Sequence, residues 1–236
     1  RGPGGMTSTT RAQQMKKPHY IGIAVFTLIA GCSGMQTMSE KELGIAKSNV
    51  GEYREALIHF NKALKKNQDD WELWFNSALM NQKLEEHEQA IKDIAKSIEY
   101  NRNNPSPYLL SSTSKKAVGD FAGQESDLKK AIEVDPRFAV AYINLGNIFR
   151  DNYKENEKAI SYYSKAISIL DPGGVSTRPD KNLALAHSNR GVAYQRTGSL
   201  SKACKDAKRA SSLGSIMVKQ FLEKPEGAWC KNMNPN

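Results

Sequence analysis

The sequence predicts an all-α chain, built as an array of paired helices rather than around one central core. Three observations carry that expectation. Small residues recur at a fixed interval, with Gly44, Ala78, Ser112 and Gly146 each 34 residues apart. Three stretches, from Gly51, Gly119 and Asn156, share one helical pattern of small, aromatic and aliphatic residues. A period of this length marks a supersecondary unit that buries its apolar face only by stacking on its neighbours. The composition agrees, since 39% hydrophobic residues exceed what a disordered chain carries. One apolar run matters for membranes, residues 21–30, and at ten residues it is too short to span.

The N-terminal segment reads as an address. Lys16 and Lys17 precede the apolar run, which ends in Ala30-Gly31 before Cys32. A basic stretch, a short apolar stretch and small residues describe a secretory signal peptide. The tetrad Ile29-Ala30-Gly31-Cys32 resembles the lipobox of bacterial lipoproteins. That resemblance implies cleavage before Cys32 and acyl chains, palmitate among them, on the new N-terminus. A signal over 15–31, starting at Met15, leaves 1–14 as a non-native or upstream extension. Residues 32–38 form a lipidated tether of about 20 Å at most. Ser33 stands where an inner-membrane retention Asp would be, so the outer membrane is the expected location in a bacterial cell envelope. Alternatives are a plain signal peptide or a short anchor with an incidental Cys.

Beyond the tether, Ser39 and Glu42 form a capping-box pattern that opens the first helix. Counting 34-residue units from 37 puts Gly44, Ala78, Ser112, Gly146 and Gly191 at position 8. Ala56, Ala90, Gln124, Ala159 and Ala203 fall at position 20, and Ala63, Ser97, Ala131, Ala166 and Ala210 at position 27. Only Gln124 of these is not small, as close helix crossings require. Aromatic residues take position 4 at Trp74, Tyr108 and Tyr142. Bulky residues take position 24 at Phe60, Leu128 and Tyr163.

These residues resemble the tetratricopeptide repeat, a helix–turn–helix unit of 34 residues. The resemblance implies a solenoid of about five repeats, near 37–70, 71–104, 105–138, 139–173 and 184–215. Asp135-Pro136 and Asp171-Pro172 end two of the second helices, because the residue before Pro avoids the helical region. One residue is added within repeat four. About ten more form an inserted loop at 171–182, rich in turn residues. Repeat three departs most, with Gln124 at position 20 and Lys115 at position 11, and its helices are expected to sit further apart. Residues 216–223 read as a capping helix that completes an array over 39–223, and 224–236 as a polar tail.

Composition and motifs argue against catalysis. His19, His59, His87 and His187 share no metal-site spacing, and no CxxC, phosphate loop or nucleophile elbow occurs. Neither an enzyme nor a cofactor is expected. Net charge is +9, with 34 basic against 25 acidic residues. Residues 1–31 hold four of the bases and no acid, which leaves +5 and argues against a nucleic-acid partner. Cys204 and Cys230 have two readings. In an oxidising compartment they form a disulfide that staples repeat five to the tail. Alternatively Cys204 is a buried small hydrophobe at the position held by Leu57, Ile91 and Ile160.

The repeat resemblance implies a concave groove lined by first helices. Its ligand-facing positions here include Asn76, Gln82, Lys83, Lys116, Asn144, Asn147, Arg150, Asn189, Gln195 and Arg196. Amides grip a peptide backbone and Arg forks onto carboxylates. The implied partner is a protein segment, extended or helical, that carries a carboxylate. Arg150 and Arg196 are expected to point to solvent. The co-chaperone carboxylate set is incomplete, since Lys41 is present but Ile45, Ser106 and Leu110 stand at its other positions. The expected function is a membrane-anchored scaffold or assembly adaptor; the alternative is a self-assembling array without a peptide ligand. The sequence does not speak to oligomeric state.

Overall fold

The computed structural model describes residues 38–231. The expected signal segment, Cys32 and the expected tether up to Thr37 lie outside the described residues. Ten helices pair as α1 (Glu40–Asn49) with α2 (Tyr53–Lys66), α3 (Trp71–Lys83) with α4 (His87–Tyr100), and α5 (Pro105–Ala117) with α6 (Phe121–Val134). They continue as α7 (Ala139–Asp151) with α8 (Asn156–Leu170) and α9 (Lys181–Arg196) with α10 (Leu200–Ser212). Each helix packs on its neighbours in sequence. Burial is therefore spread over local clusters along the stack, as in a quasi-one-dimensional array. No helix among the described residues is long and apolar enough to cross a membrane.

Side chains start the first helix of most pairs. Ser39 and Glu42 make the reciprocal capping box, Asp70 accepts from the Glu72 and Leu73 amides, and Asn104 precedes Pro105. The turn inside each pair holds one left-handed residue, at Gly51, Glu85, Gly119, Lys154 and Gly198. The extra residue of repeat four lies in that turn, which runs over 152–155 where the others take three residues.

Position 8 is small because an aromatic ring occupies the space a side chain would need. A Cβ on Gly44 would lie 2.5 Å from the Phe60 ring, and one on Gly146 2.5 Å from the Tyr163 ring. Where the second helix carries the smaller Ile94, the first carries Ala78, and both are buried in one cluster.

The second helix also reaches the first one residue before that bulky position, by a different chemistry in each repeat. His59 Nδ1 lies 2.6 Å from Glu40. Buried Asp93 accepts from Ser77 at 2.6 Å, Asn81 at 2.8 Å and Gln89 at 2.8 Å. Asp127 pairs with Lys115 at 2.8 Å. Tyr162 stacks on Phe149 with centroids 5.1 Å apart. Asp206 takes His187 and the fork of Arg190. In repeat three, Lys115 thus replaces an aromatic contact with an ion pair, and Gln124 is accommodated in a buried position.

Two boundaries differ from expectation. Helix α9 starts at Lys181 rather than near 184, because Asp180 caps it by accepting from the Leu183 amide at 2.8 Å. Leu183 and Ala184 are then buried against Leu213. The insertion is therefore part loop, part extra helical turn. The described part of the expected polar tail, 224–231, is folded back as well. After the capping helix α11 (Ile216–Glu223), a 3-10 turn (Pro225–Gly227) and a short helix α12 (Ala228–Lys231) bring Cys230 onto α10. Cys204 and Cys230 form a disulfide with Cα atoms 5.2 Å apart, and both are buried. Of the two sequence readings of Cys204, the structure has the bridged one, and the bridged residue is buried.

Candidate partner groove

The ligand-facing positions fall on α3, α5, α7 and α9, but they do not form one uniform strip. On the first half, Asn76 is half-buried while Lys83 and Lys116 are exposed. Gln82 is turned sideways, donating to Ser114 Oγ at 3.1 Å and the Leu110 carbonyl at 3.3 Å. It ties one first helix to the next. Lys41, the remaining member of the co-chaperone set, pairs with Asp70 at 3.0 Å and Glu72 at 2.6 Å.

Repeats four and five converge. Asn147 Oδ1 accepts from the Tyr163 hydroxyl at 2.8 Å and from Asn189 Nδ2 at 3.0 Å. Burial pushes the Tyr163 phenol well above its ordinary range, so it stays protonated and keeps donating. With the Asn147 oxygen used twice, its amide N–H groups and the Asn189 oxygen are left over. Together they offer a donor and an acceptor whose orientations are set from behind.

The two arginines do not point freely to solvent, contrary to expectation. Arg150 forks onto its neighbour Asp151 through Nε at 2.8 Å and Nη2 at 2.7 Å. Its guanidinium lies 5.9 Å from the Tyr163 ring centre, and its side chain is only 13% exposed. Arg196 donates from Nη1 to the Arg150 carbonyl at 3.1 Å and to Asp151 at 3.2 Å. The hydrogen bonds from Arg150 hold the Asp151 carboxyl below its ordinary range and raise the guanidinium. Two guanidinium groups share one carboxylate, so the cluster keeps one positive charge. Arg196 Nε and Nη2 and Arg150 Nη1 have no protein acceptor among the described residues.

Asn144 is half-buried on α7, outside this cluster. Gln195 is exposed and lines a separate apolar cavity of about 240 Å³ with Met217, Phe221 and Trp229. Asn76 and Lys116 stand on the earlier repeats. Asp151 and Tyr163 are the members that sequence reasoning missed as groove residues. Asp151 had a signal: an acid in the last turn opposes the helix dipole unless a neighbour compensates it. Among the described residues no group of three or more His, Cys, Asp or Glu could hold a metal ion.

A stack of helix pairs whose first helices carry amides and paired arginines defines a repeat solenoid. Two family models described as tetratricopeptide repeat match residues 41–106 and 139–169. The chain is a tetratricopeptide repeat protein. Its fold is similar to that of MamA protein, at 23% identity and a TM-score of 0.59, over 79% of this chain and 93% of that one. YrrB, described as a TPR protein with an unusual peptide-binding site, matches at 18% and 0.57 over 78% and 90%. TTC0263, a thermophilic TPR protein in Thermus thermophilus, matches at 20% and 0.58 over 82% and 98%.

Proposed function

We propose that the protein is a non-catalytic interaction scaffold whose groove at repeats four and five holds a partner segment bearing a carboxylate. One observation carries this reading: Arg150 and Arg196 converge on a single carboxylate beside the oriented Asn147–Asn189 pair. The unspent N–H donors and the residual positive charge suit an incoming carboxylate, and the amides suit a peptide backbone. The peptide-binding site described for YrrB supports a peptide as the ligand class.

The setting proposed is a bacterial envelope, with a lipid on Cys32 holding the array close to the outer membrane. The Cys204–Cys230 disulfide supports export, because such bridges persist in oxidising compartments. Intact-mass measurement of processed protein should find a chain starting at Cys32 with acyl chains; an unacylated mature chain would overturn the anchor. A second reading, self-assembly, is favoured by Ile216 and Met217, which are 72% and 71% exposed on α11. Light scattering that shows one mass across concentrations would count against it.

The groove is tested through Arg196, the more exposed arginine. Arg196→Glu should weaken capture of partners from envelope extract about tenfold, since a charge-assisted bond becomes repulsion. Asp151→Asn should strengthen capture, because it removes the internal competitor. Lys165→Glu on α8 is the control. Loss of partners in the control, with retention in Arg196→Glu, would show that the groove is not the site.

A further inference from the structure

A second basic site lies outside the groove, between the second helices of repeats four and five. Its origin is a charge asymmetry that the whole-chain sum hides. Residues 176–236 hold 11 Lys and Arg against 4 Asp and Glu, a net of +7. Residues 32–175 hold 19 against 21, a net of −2. The excess charge after the leader therefore sits in repeat five, its cap and its tail. Segregation of this kind creates a local field for an anionic ligand that a mixed surface lacks.

The inserted loop turns part of that excess into a cavity. A space of about 520 Å³ opens between the end of α8, the loop after it, α9 and α10. That volume is in the range of small-molecule sites. Four bases line it, Arg190, Lys205, Lys208 and Arg209, against two acids, Asp171 and Asp206. Both acids are already committed. Asp206 accepts from His187 Nδ1 at 2.8 Å, and from Arg190 Nε and Nη2, each at 2.8 Å. Asp171 accepts from the Val175 amide at 3.1 Å, the Ser176 amide at 3.3 Å and Arg209 Nη2 at 2.9 Å. With those acids engaged by Arg190 and Arg209, Lys205 adds its charge to the N–H donors left on the wall.

The donors that remain are well placed for an oxyanion. Arg209 spends Nη2 alone, on Asp171 and on the Ser176 carbonyl at 2.6 Å, so Nε and Nη1 keep their N–H groups. Lys205 is exposed at the rim. Asp171 and Ser176 belong to the insertion, so the same residues that shape the loop also aim Arg209. The insertion thus builds a wall rather than only lengthening a joint.

We infer that this cavity binds a phosphoryl group carried on a larger body. A phosphoryl group brings two negative charges or one, and three or more acceptor oxygens, to a wall rich in N–H donors. The cavity exceeds a bare phosphate ion, so part of the bound molecule fills the remainder. The chemistry has two sources, a soluble phosphate ester or an anionic phospholipid headgroup. The site is independent of the groove and of the partner reading above.

The test uses the full chain and two probes. Inorganic phosphate is titrated while the amide resonances of α10 and of the insertion are followed. Flotation is measured with vesicles of phosphatidylcholine alone and of phosphatidylcholine mixed with phosphatidylglycerol. The variant is Lys205→Glu with Lys208→Glu, and Arg196→Glu is the groove control. Saturable phosphate shifts at these residues, weakened about tenfold in the double variant and kept in Arg196→Glu, support the site and a soluble ester. A preference for phosphatidylglycerol vesicles, lost in the double variant alone, supports the site and a headgroup. No phosphate response together with equal flotation on both vesicles overturns the proposal. So does a response that the double variant retains while its melting curve matches the parent.

Discussion

Repeats four and five place the same backbone slot against the first helix and fill it with opposite chemistry. In repeat four Tyr162 stacks on Phe149 at 5.1 Å, an apolar contact indifferent to pH and salt. In repeat five the slot holds Asp206, buried and satisfied by Arg190 and His187. The contrast teaches that the repeat dictates where two helices meet and leaves open what joins them. A stacked pair loses contacts gradually when trimmed, whereas a buried ion cluster fails all at once when one member is removed.

Removing the carboxylate gives the largest expected effect. Asp206→Ala should cost about 3–5 kcal/mol, because the half-buried Arg190 and the buried His187 lose the acceptor they share. Tyr162→Leu should cost about 1–2 kcal/mol, since apolar area is largely kept. Urea unfolding of the two variants, with amide exchange to locate the loss, breaks the comparison if the costs are equal.

Reduction of Cys204–Cys230 comes next. The bridge closes a 26-residue separation, for which chain entropy suggests about 3.5 kcal/mol. The loss should appear as faster amide exchange in α10 to α12, with α7 and α8 unchanged. Equal loosening of both repeats would show that the staple acts on the whole array.

Acid sharpens the contrast further. Burial works against ionisation of Asp206, but the bonds from Arg190 and His187 outweigh it and hold its pKa below the ordinary value. The stabilisation is therefore complete above the unfolded carboxylate pKa, near about 3.9, and is lost as pH falls through the lower folded value. Repeat five should loosen before repeat four below about pH 4. Resonances of Tyr162 that broaden before those of Arg190 would contradict this.

The smallest effect concerns the turns. Gly198 holds the left-handed position in repeat five, and Lys154 holds it in repeat four. Gly198→Ala should cost about 1 kcal/mol. Lys154→Gly should change stability by less than about 0.5 kcal/mol, since relief of strain is offset by loss of the Lys154 bond to the Asp151 carbonyl. Thermal melts of both variants measure the difference.

Much of the stack was legible because close packing leaves a periodic mark. Gly44 and Gly146 had to be small whatever surrounds them, since Phe60 and Tyr163 occupy their space. The turn glycines and the Ser39–Glu42 box are equally local. The groove was legible as a set of positions. Its working state was not, because Asp151 reaches Arg196 across 45 residues and takes up both arginines.

By itself the sequence determined the repeat length, the helix pairs, the added turn residue in repeat four and the capping helix. These follow from sterics within one unit, where neighbours along the chain are neighbours in space. Only the tertiary structure decided how His59, Asp93, Asp127, Tyr162 and Asp206 find different partners, how the insertion divides between loop and helix, and how the tail folds onto Cys204. Those outcomes depend on the reach and charge of side chains brought together from separate helices, and no spacing along the chain records them.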